Sequence, residues 1–265
     1  MNVKTFPLYE IPEKLEEAAI LDGSILEKYS SSLEPFNEKA KEVLSKFKVI
    51  NGELANSSPL MLVRLQNSGA LPERTRLATR KDLEKAISIR GNEEFLRGNY
   101  VDFGFALRTA GDSYSPNDQL AKSLAEQLKK RGIALNEGVL IPISVLRDKD
   151  DASSFYGVTL DLNDGATRET VRDLREFRWN YSRNEGLVCA GFGGGRCWSS
   201  YDEHLGYSLD YGRVVVVRSA QGVSKKISGN EFNDYQREVA QKRQQYISDL
   251  TNLREQIDAE LRSAQ

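Results

Sequence analysis

Residues 99–108 read NYVDFGFALR, and the period of that stretch decides what kind of fold the chain builds. Val101, Phe103, Phe105 and Leu107 recur at every second position, the spacing of a strand whose alternate side chains turn to opposite faces. The reading is a strand that sets these four residues together on one core-facing side.

Working toward the C-terminus, Ser115, Pro116 and Asp118 supply the N-cap, N1 and N3 signals of a helix. Leu120, Leu124 and Leu128 make its stripe, and Lys129-Lys130-Arg131-Gly132 its stop. Two strands follow, GVLIPISVLR at 138–147 and FYGVTLDLN at 155–163, with Asp148-Lys149-Asp150-Asp151 as the solvated tip between them. Asp164-Gly165 then turns the chain into a second helix from about Thr167, with Val171, Leu174 and Phe177 inward. LVCAGF at 187–192 and RVVVVRS at 213–219 close the series as strands. The four consecutive valines of the last suit a strand buried on both faces. The resulting order, β-α-β-β-α-β with one strand more, resembles a ferredoxin-like split sandwich. The expected fold class is therefore α+β with a mixed sheet.

Working toward the N-terminus, LMLVRLQ at 60–66 reads as an added strand, and Thr79 with Asp82 as a capping box opening a helix through Ile89. Residues 1–58 read as a helical segment, because IPEKLEEAAILDGSILEKY and EPFNEKAKEVLSKFKV both space apolar residues as helices do. Asn51-Gly52 through Pro59 reads as the linker to an α+β core at 59–222. Residues 223–265 carry an apolar stripe from Phe232 to Leu261, interrupted at Lys242-Arg243. This is a long amphipathic helix that packs on its own chain or joins a homo-oligomer.

The totals exclude several classes. A net charge of −2 over 265 residues gives no global field for nucleic acid, and no apolar run has signal-peptide or membrane-helix length. Two cysteines cannot frame a chain of this size with disulfides, so a reducing, cytoplasmic setting is expected, with no membrane contact.

Chemistry concentrates in one stretch, LVCAGFGGGRCWSSYDEHLGY at 187–207, which holds both cysteines and the single histidine. Its glycines, Gly191, Gly193, Gly194 and Gly195, run G-x-G-G-G rather than G-x-G-x-x-G, which argues against a dinucleotide fingerprint. A nest of backbone amides with Arg196 as countercharge would still suit an anion. Cys197 and His204, with Asp202 to orient the ring, are the candidates for an enzyme acting on an anionic substrate. Adding Cys189 to them matches no standard zinc spacing, so no metal site is expected, and no cofactor motif stands out.

Around that stretch Arg178, Trp179, Arg183, Arg196, Trp198 and Tyr201 mix aromatic faces with guanidinium groups. Such a mixture suits a protein partner, a small anionic ligand or nucleic acid. The leading expectation is a binding or interaction protein that recognises a partner or anionic ligand through this aromatic, arginine-rich glycine loop. An enzyme and a structural subunit assembled through terminal helices are the alternatives.

Overall fold

The structure is a computed structural model that describes residues 16–88, 96–108, 119–135, 138–167, 171–173, 178–179, 186–193, 198–201 and 204–219. The chain divides into two units, Glu16–Ala220 and the pair Met1–Leu15 with Gln221–Gln265. The second unit, which includes the expected C-terminal helix, lies outside the described residues.

Thirteen strands are present among the described residues: β1 (Glu16–Ile20), β2 (Lys48–Ile50), β3 (Glu53–Ala55), β4 (Thr75–Leu77), β5 (Val101–Arg108), β6 (Val139–Pro142), β7 (Leu146–Asp150), β8 (Val158–Leu162), β9 (Arg172–Asp173), β10 (Arg178–Trp179), β11 (Gly186–Phe192), β12 (Trp198–Tyr201) and β13 (Val215–Ser219). Five helices join them: α1 (Leu26–Ser31), α2 (Glu38–Leu44), α3 (Pro59–Asn67), α4 (Arg80–Ser88) and α5 (Gln119–Lys130). The α+β class holds. A six-stranded sheet runs β10-β12-β11-β5-β6-β9, and β1-β13-β4, β2-β3 and β7-β8 form three smaller ladders. The six-stranded sheet is mixed, since β10 runs parallel to β12 and every other pair in it is antiparallel.

The expected β-α-β-β-α-β order is not what this sheet shows. Pro142 ends β6, because a proline has no N–H for the ladder, and a 3-10 turn at Ile143–Val145 carries the chain out of the sheet. GVLIPISVLR is therefore two strands, and β7 pairs with β8 in a ladder of its own. Where a second helix was expected from Thr167, Arg172 and Asp173 instead pair with Leu140 and Val139. The apolar spacing there suits a helix, but the open edge of β6 offers hydrogen bonds that override local preference. β13 lies in another sheet, between β1 and β4. Its valines are buried on both faces, as their run of four implies.

Three N-terminal expectations are also corrected. Glu16–Ile20, inside the expected first helix, is β1 and pairs antiparallel with β13. Asn51-Gly52 is the two-residue turn of the β2-β3 hairpin, not a linker, with φ of 54° and 82° at the two positions. Positive φ at both is what a type I′ turn needs, and Asn-Gly is the pair that tolerates it. LMLVRLQ is α3, whose Ser58 side chain caps the helix by accepting from the Met61 N–H, with Pro59 at the first helical turn. Six of its nine residues are buried, so its apolar residues run on without helical spacing and mimic a buried strand. The Thr79–Asp82 capping box does open α4: the Asp82 carboxylate accepts from the Thr79 N–H at 2.8 Å.

The six-stranded sheet has a core on each side. Phe105, Leu107, Val139, Ile141, Leu187 and Cys189 face the larger one, which also takes in the stripe Leu120, Leu124 and Leu128 of α5. Burial of each such leucine contributes about 1.5–3 kcal/mol. Val101, Phe103, Ala106, Leu140, Val188 and Ala190 face the second, with Leu83 of α4 and Val215 and Val217 of β13. The four alternating residues of the opening stretch are thus split between two cores. The cause is a β-bulge: Ala190 pairs with Gly104 but Gly191 with Asp102, which leaves Phe103 as the extra residue and reverses the facing of everything before it.

Candidate functional site

The bulge has a chemical result, because it turns Asp102 inward to the larger core. Asp102 is 3% exposed. Its carboxylate accepts from the Tyr201 hydroxyl and, at 3.1 Å, from the Ser57 hydroxyl. Tyr201 stands opposite Cys189 on β11 and crosses Gly191 to reach Asp102; a Cβ built at Gly191 would lie 2.8 Å from the Tyr201 ring. Burial pushes the Asp102 carboxyl up to about 7, against the opposing pull of its hydrogen bonds from Tyr201 and Ser57. Burial, followed by the Asp102 charge, likewise raises Tyr201 well above its ordinary value.

Tyr100 extends this node to the surface. Its hydroxyl donates to the Ser57 carbonyl at 2.9 Å and accepts from the Leu209 N–H at 2.9 Å. Its ring meets Tyr201 and Tyr211 edge to face, with centroids 5.9 and 5.2 Å apart. Burial and the nearby Asp102 charge raise the Tyr100 hydroxyl, so it stays a neutral donor and acceptor at physiological pH. Arg213 fastens the same segment from its other end, through Glu53 at 2.9 Å and the Asp210 carbonyl at 2.7 Å.

What these contacts hold in place is the loop 204–212, which faces residues 45–48 across an open cleft of about 720 Å³. Its walls are Lys46, Phe47, Lys48 and Asn56 on one side and Tyr207 through Tyr211 on the other. Tyr207 is 43% exposed and Tyr211 48%. Lys48 pairs with Asp210 at 2.9 Å, and the Lys46 ammonium donates to the Gly206 carbonyl at 3.3 Å. The cleft can therefore offer aromatic faces, cationic head groups and one carboxylate. Asp102 itself is buried and does not line the cleft.

The residues singled out in the sequence are dispersed. Trp198 and Tyr201 lie on opposite faces of the sheet, Trp198 packing toward the second core and Tyr201 toward the first. Trp198 meets Phe103 and Phe192, with the Arg80 guanidinium 5.4 Å above its ring. Arg178 and Trp179 form β10 and pair with Ser199 and Ser200. Gly193 follows β11 and is partly exposed, and His204 is exposed at the start of the loop. Cys189 is buried in β11. Arg183, Gly194, Gly195, Arg196, Cys197 and Asp202 lie outside the described residues. Among the described residues no group of three or more His, Cys, Asp or Glu is placed to hold a metal, and no helix is long and apolar enough to cross a membrane.

Ser57, Tyr100 and Asp102 were missed by sequence reasoning. The usable signal was Asp102 itself, a charge set among apolar residues near the start of a strand whose other charge, Arg108, stands at its far end. Comparison with known proteins finds no match, whether to family models, curated proteins or solved structures.

Proposed function

We propose that this is a binding protein, and that the cleft under the 204–212 loop receives a segment of a protein partner. The observation that carries the reading is the pair Tyr207 and Tyr211: two large aromatic side chains left about half exposed by a loop that Tyr100 and Arg213 hold in one conformation. Tyrosine held out on a rigid frame gives contact area at small entropic cost, and tyrosine is among the residues that dominate interface energetics. Lys46 on the facing wall, which among the described residues meets the Gly206 carbonyl and not a carboxylate, adds charge complementarity toward acidic or carboxylate-bearing groups. The recognition surface thereby moves from the glycine loop anticipated around Arg196 and Trp198 to the segment that follows it.

The test is affinity capture from an extract of the source organism, followed by the same capture with Tyr207→Ser and Tyr211→Ser, singly and together. Each substitution is expected to weaken a specific partner by about 2 kcal/mol, roughly thirtyfold, without loss of fold. Capture of the same proteins at the same yield by the double variant refutes the reading.

A further inference from the structure

A second cleft, sharing no lining residue with the first, opens on the side of the sheet that faces the second core. It has a volume of about 190 Å³ and is lined by Thr79, Arg80, Lys81, Phe103, Leu140, Pro142, Ser144 and Arg172. Two features meet there. The floor is apolar, formed by Phe103 and Leu140 of the second core with Pro142 at the end of β6. The rim is cationic, with Arg80 and Lys81 from the start of α4 and Arg172 from the edge strand β9.

Among the described residues the charge at this rim is only partly cancelled. Asp82, next to Lys81 in sequence, is engaged by Arg76 through contacts of 2.6 and 3.0 Å and by its capping bonds to Thr79. Arg76, with the Thr79 bonds, holds the Asp82 carboxyl at about 2 although burial opposes it, so it stays an anion committed to those partners. Arg80 is matched by Glu84 at 2.7 Å and lies over the Trp198 ring. Lys81 and Arg172 form no ion pair with any described residue. Among the described residues two positive charges are therefore left at the mouth of a small apolar cavity.

We propose that this cleft binds an organic phosphomonoester, its dianionic head held by Lys81 and Arg172 at the rim and a small apolar body set against Pro142 and the edges of Phe103 and Leu140. A phosphomonoester carries between one and a half and two negative charges near neutrality, which matches the two uncommitted cations. A guanidinium beside an ammonium is a pairing that suits phosphate oxygens, the first by its planar fork and the second as a point charge. The cavity admits a body of about the size of one aromatic ring.

Titration calorimetry of the whole chain with phenyl phosphate, methyl phosphate and inorganic phosphate tests both halves of the site. Phenyl phosphate is expected to bind about tenfold more tightly than methyl phosphate, the effect of burying about two methylene equivalents. Lys81→Gln and Arg172→Gln, both at exposed positions, are each expected to weaken phenyl phosphate by about tenfold, and the double variant to abolish saturable binding. Equal affinity for the phenyl and methyl esters overturns the assignment of the apolar floor. Absence of saturable binding by any of the three phosphates, or binding that the two glutamine variants leave unchanged, overturns the site.

Discussion

Tyr201 donates its hydroxyl proton to Asp102 across the full width of β11, and it can do so only because the residue it passes over is Gly191. A methyl group at that position would stand 2.8 Å from the Tyr201 ring and 2.9 Å from the Val101 carbonyl oxygen. The ring could turn aside, at the loss of its bond to Asp102, but the carbonyl belongs to the neighbouring strand. Gly191→Ala is therefore expected to destabilise the fold by about 1–3 kcal/mol, as overpacking of a well-filled core does. In urea unfolding, Gly191→Ala introduced into a Tyr201→Ala parent should still destabilise, by less than it does in the native chain. No loss in that parent would show that the ring alone sets the glycine requirement.

Asp102 makes the stability depend on pH in a direction opposite to that of a salt-bridged carboxylate. Its folded value of about 7 lies above its ordinary 3.8, so the folded chain holds the proton more tightly than the unfolded chain does. The contribution of the protonated group is complete below about pH 4, declines through the interval from 4 to 7, and is gone above it. Within that interval the expected slope is about 1.4 kcal/mol per pH unit. Asp102→Asn keeps an acceptor for Tyr201 and removes the titration. The difference in unfolding free energy between the native chain and this variant should change steadily from pH 4 to pH 7 and level off beyond; a flat difference would mean that Asp102 stays ionised when folded.

How much of this the sequence made legible follows from where local signals decide the outcome. The strand at 101–108, α4 with its capping box, the Leu120-Leu124-Leu128 face of α5 and the buried valines of β13 rest on short-range patterns, and each stands where the pattern puts it. What failed were choices settled by distant partners. Alternation in NYVDFGFALR says which residues share a face only while the pairing is regular, and the extra residue at Phe103 is visible only once β11 is alongside. Likewise β9 exists because β6 has an open edge, and α3 reads as a strand because a helix buried on most sides loses its period. The site shared that fate: Tyr201 was singled out, but Asp102 lies 99 residues from it along the chain, and Ser57 a further 45 from Asp102.

Tyr100 should control the order of the cleft loop without lining the cleft. Tyr100→Phe keeps the ring against Tyr201 and Tyr211 but leaves the Leu209 N–H and the Ser57 carbonyl without their partner. The expected cost is about 1–3 kcal/mol, and amide exchange at residues 207–212 should accelerate more than exchange in β11. Equal acceleration in both would make Tyr100 a general core residue and detach it from the loop.

The segment Asp148-Lys149-Asp150, expected as a solvated tip, supplies the last test, because its charges are not equivalent. It is strand, and alternation sends Asp148 inward while Lys149 goes out. The Asp148 side chain is 2% exposed, and it binds Arg64 of α3 at 3.2 Å and the Asn67 amide at 3.0 Å. Arg64 is itself largely covered, 14% exposed, with its guanidinium over the Phe36 ring. Removing the aspartate would strand that guanidinium in a poorly hydrated place, so Asp148→Ala is expected to cost about 2–4 kcal/mol. Lys149, 59% exposed, pairs with Asp161 at 2.9 Å on the outer side of the same hairpin. Lys149→Ala should change stability by no more than about 0.5 kcal/mol, since an exposed pair exchanges little with water. Chemical denaturation of the two variants separates the cases, and comparable effects from both would mean that the β7-β8 hairpin is not docked on α3 in solution.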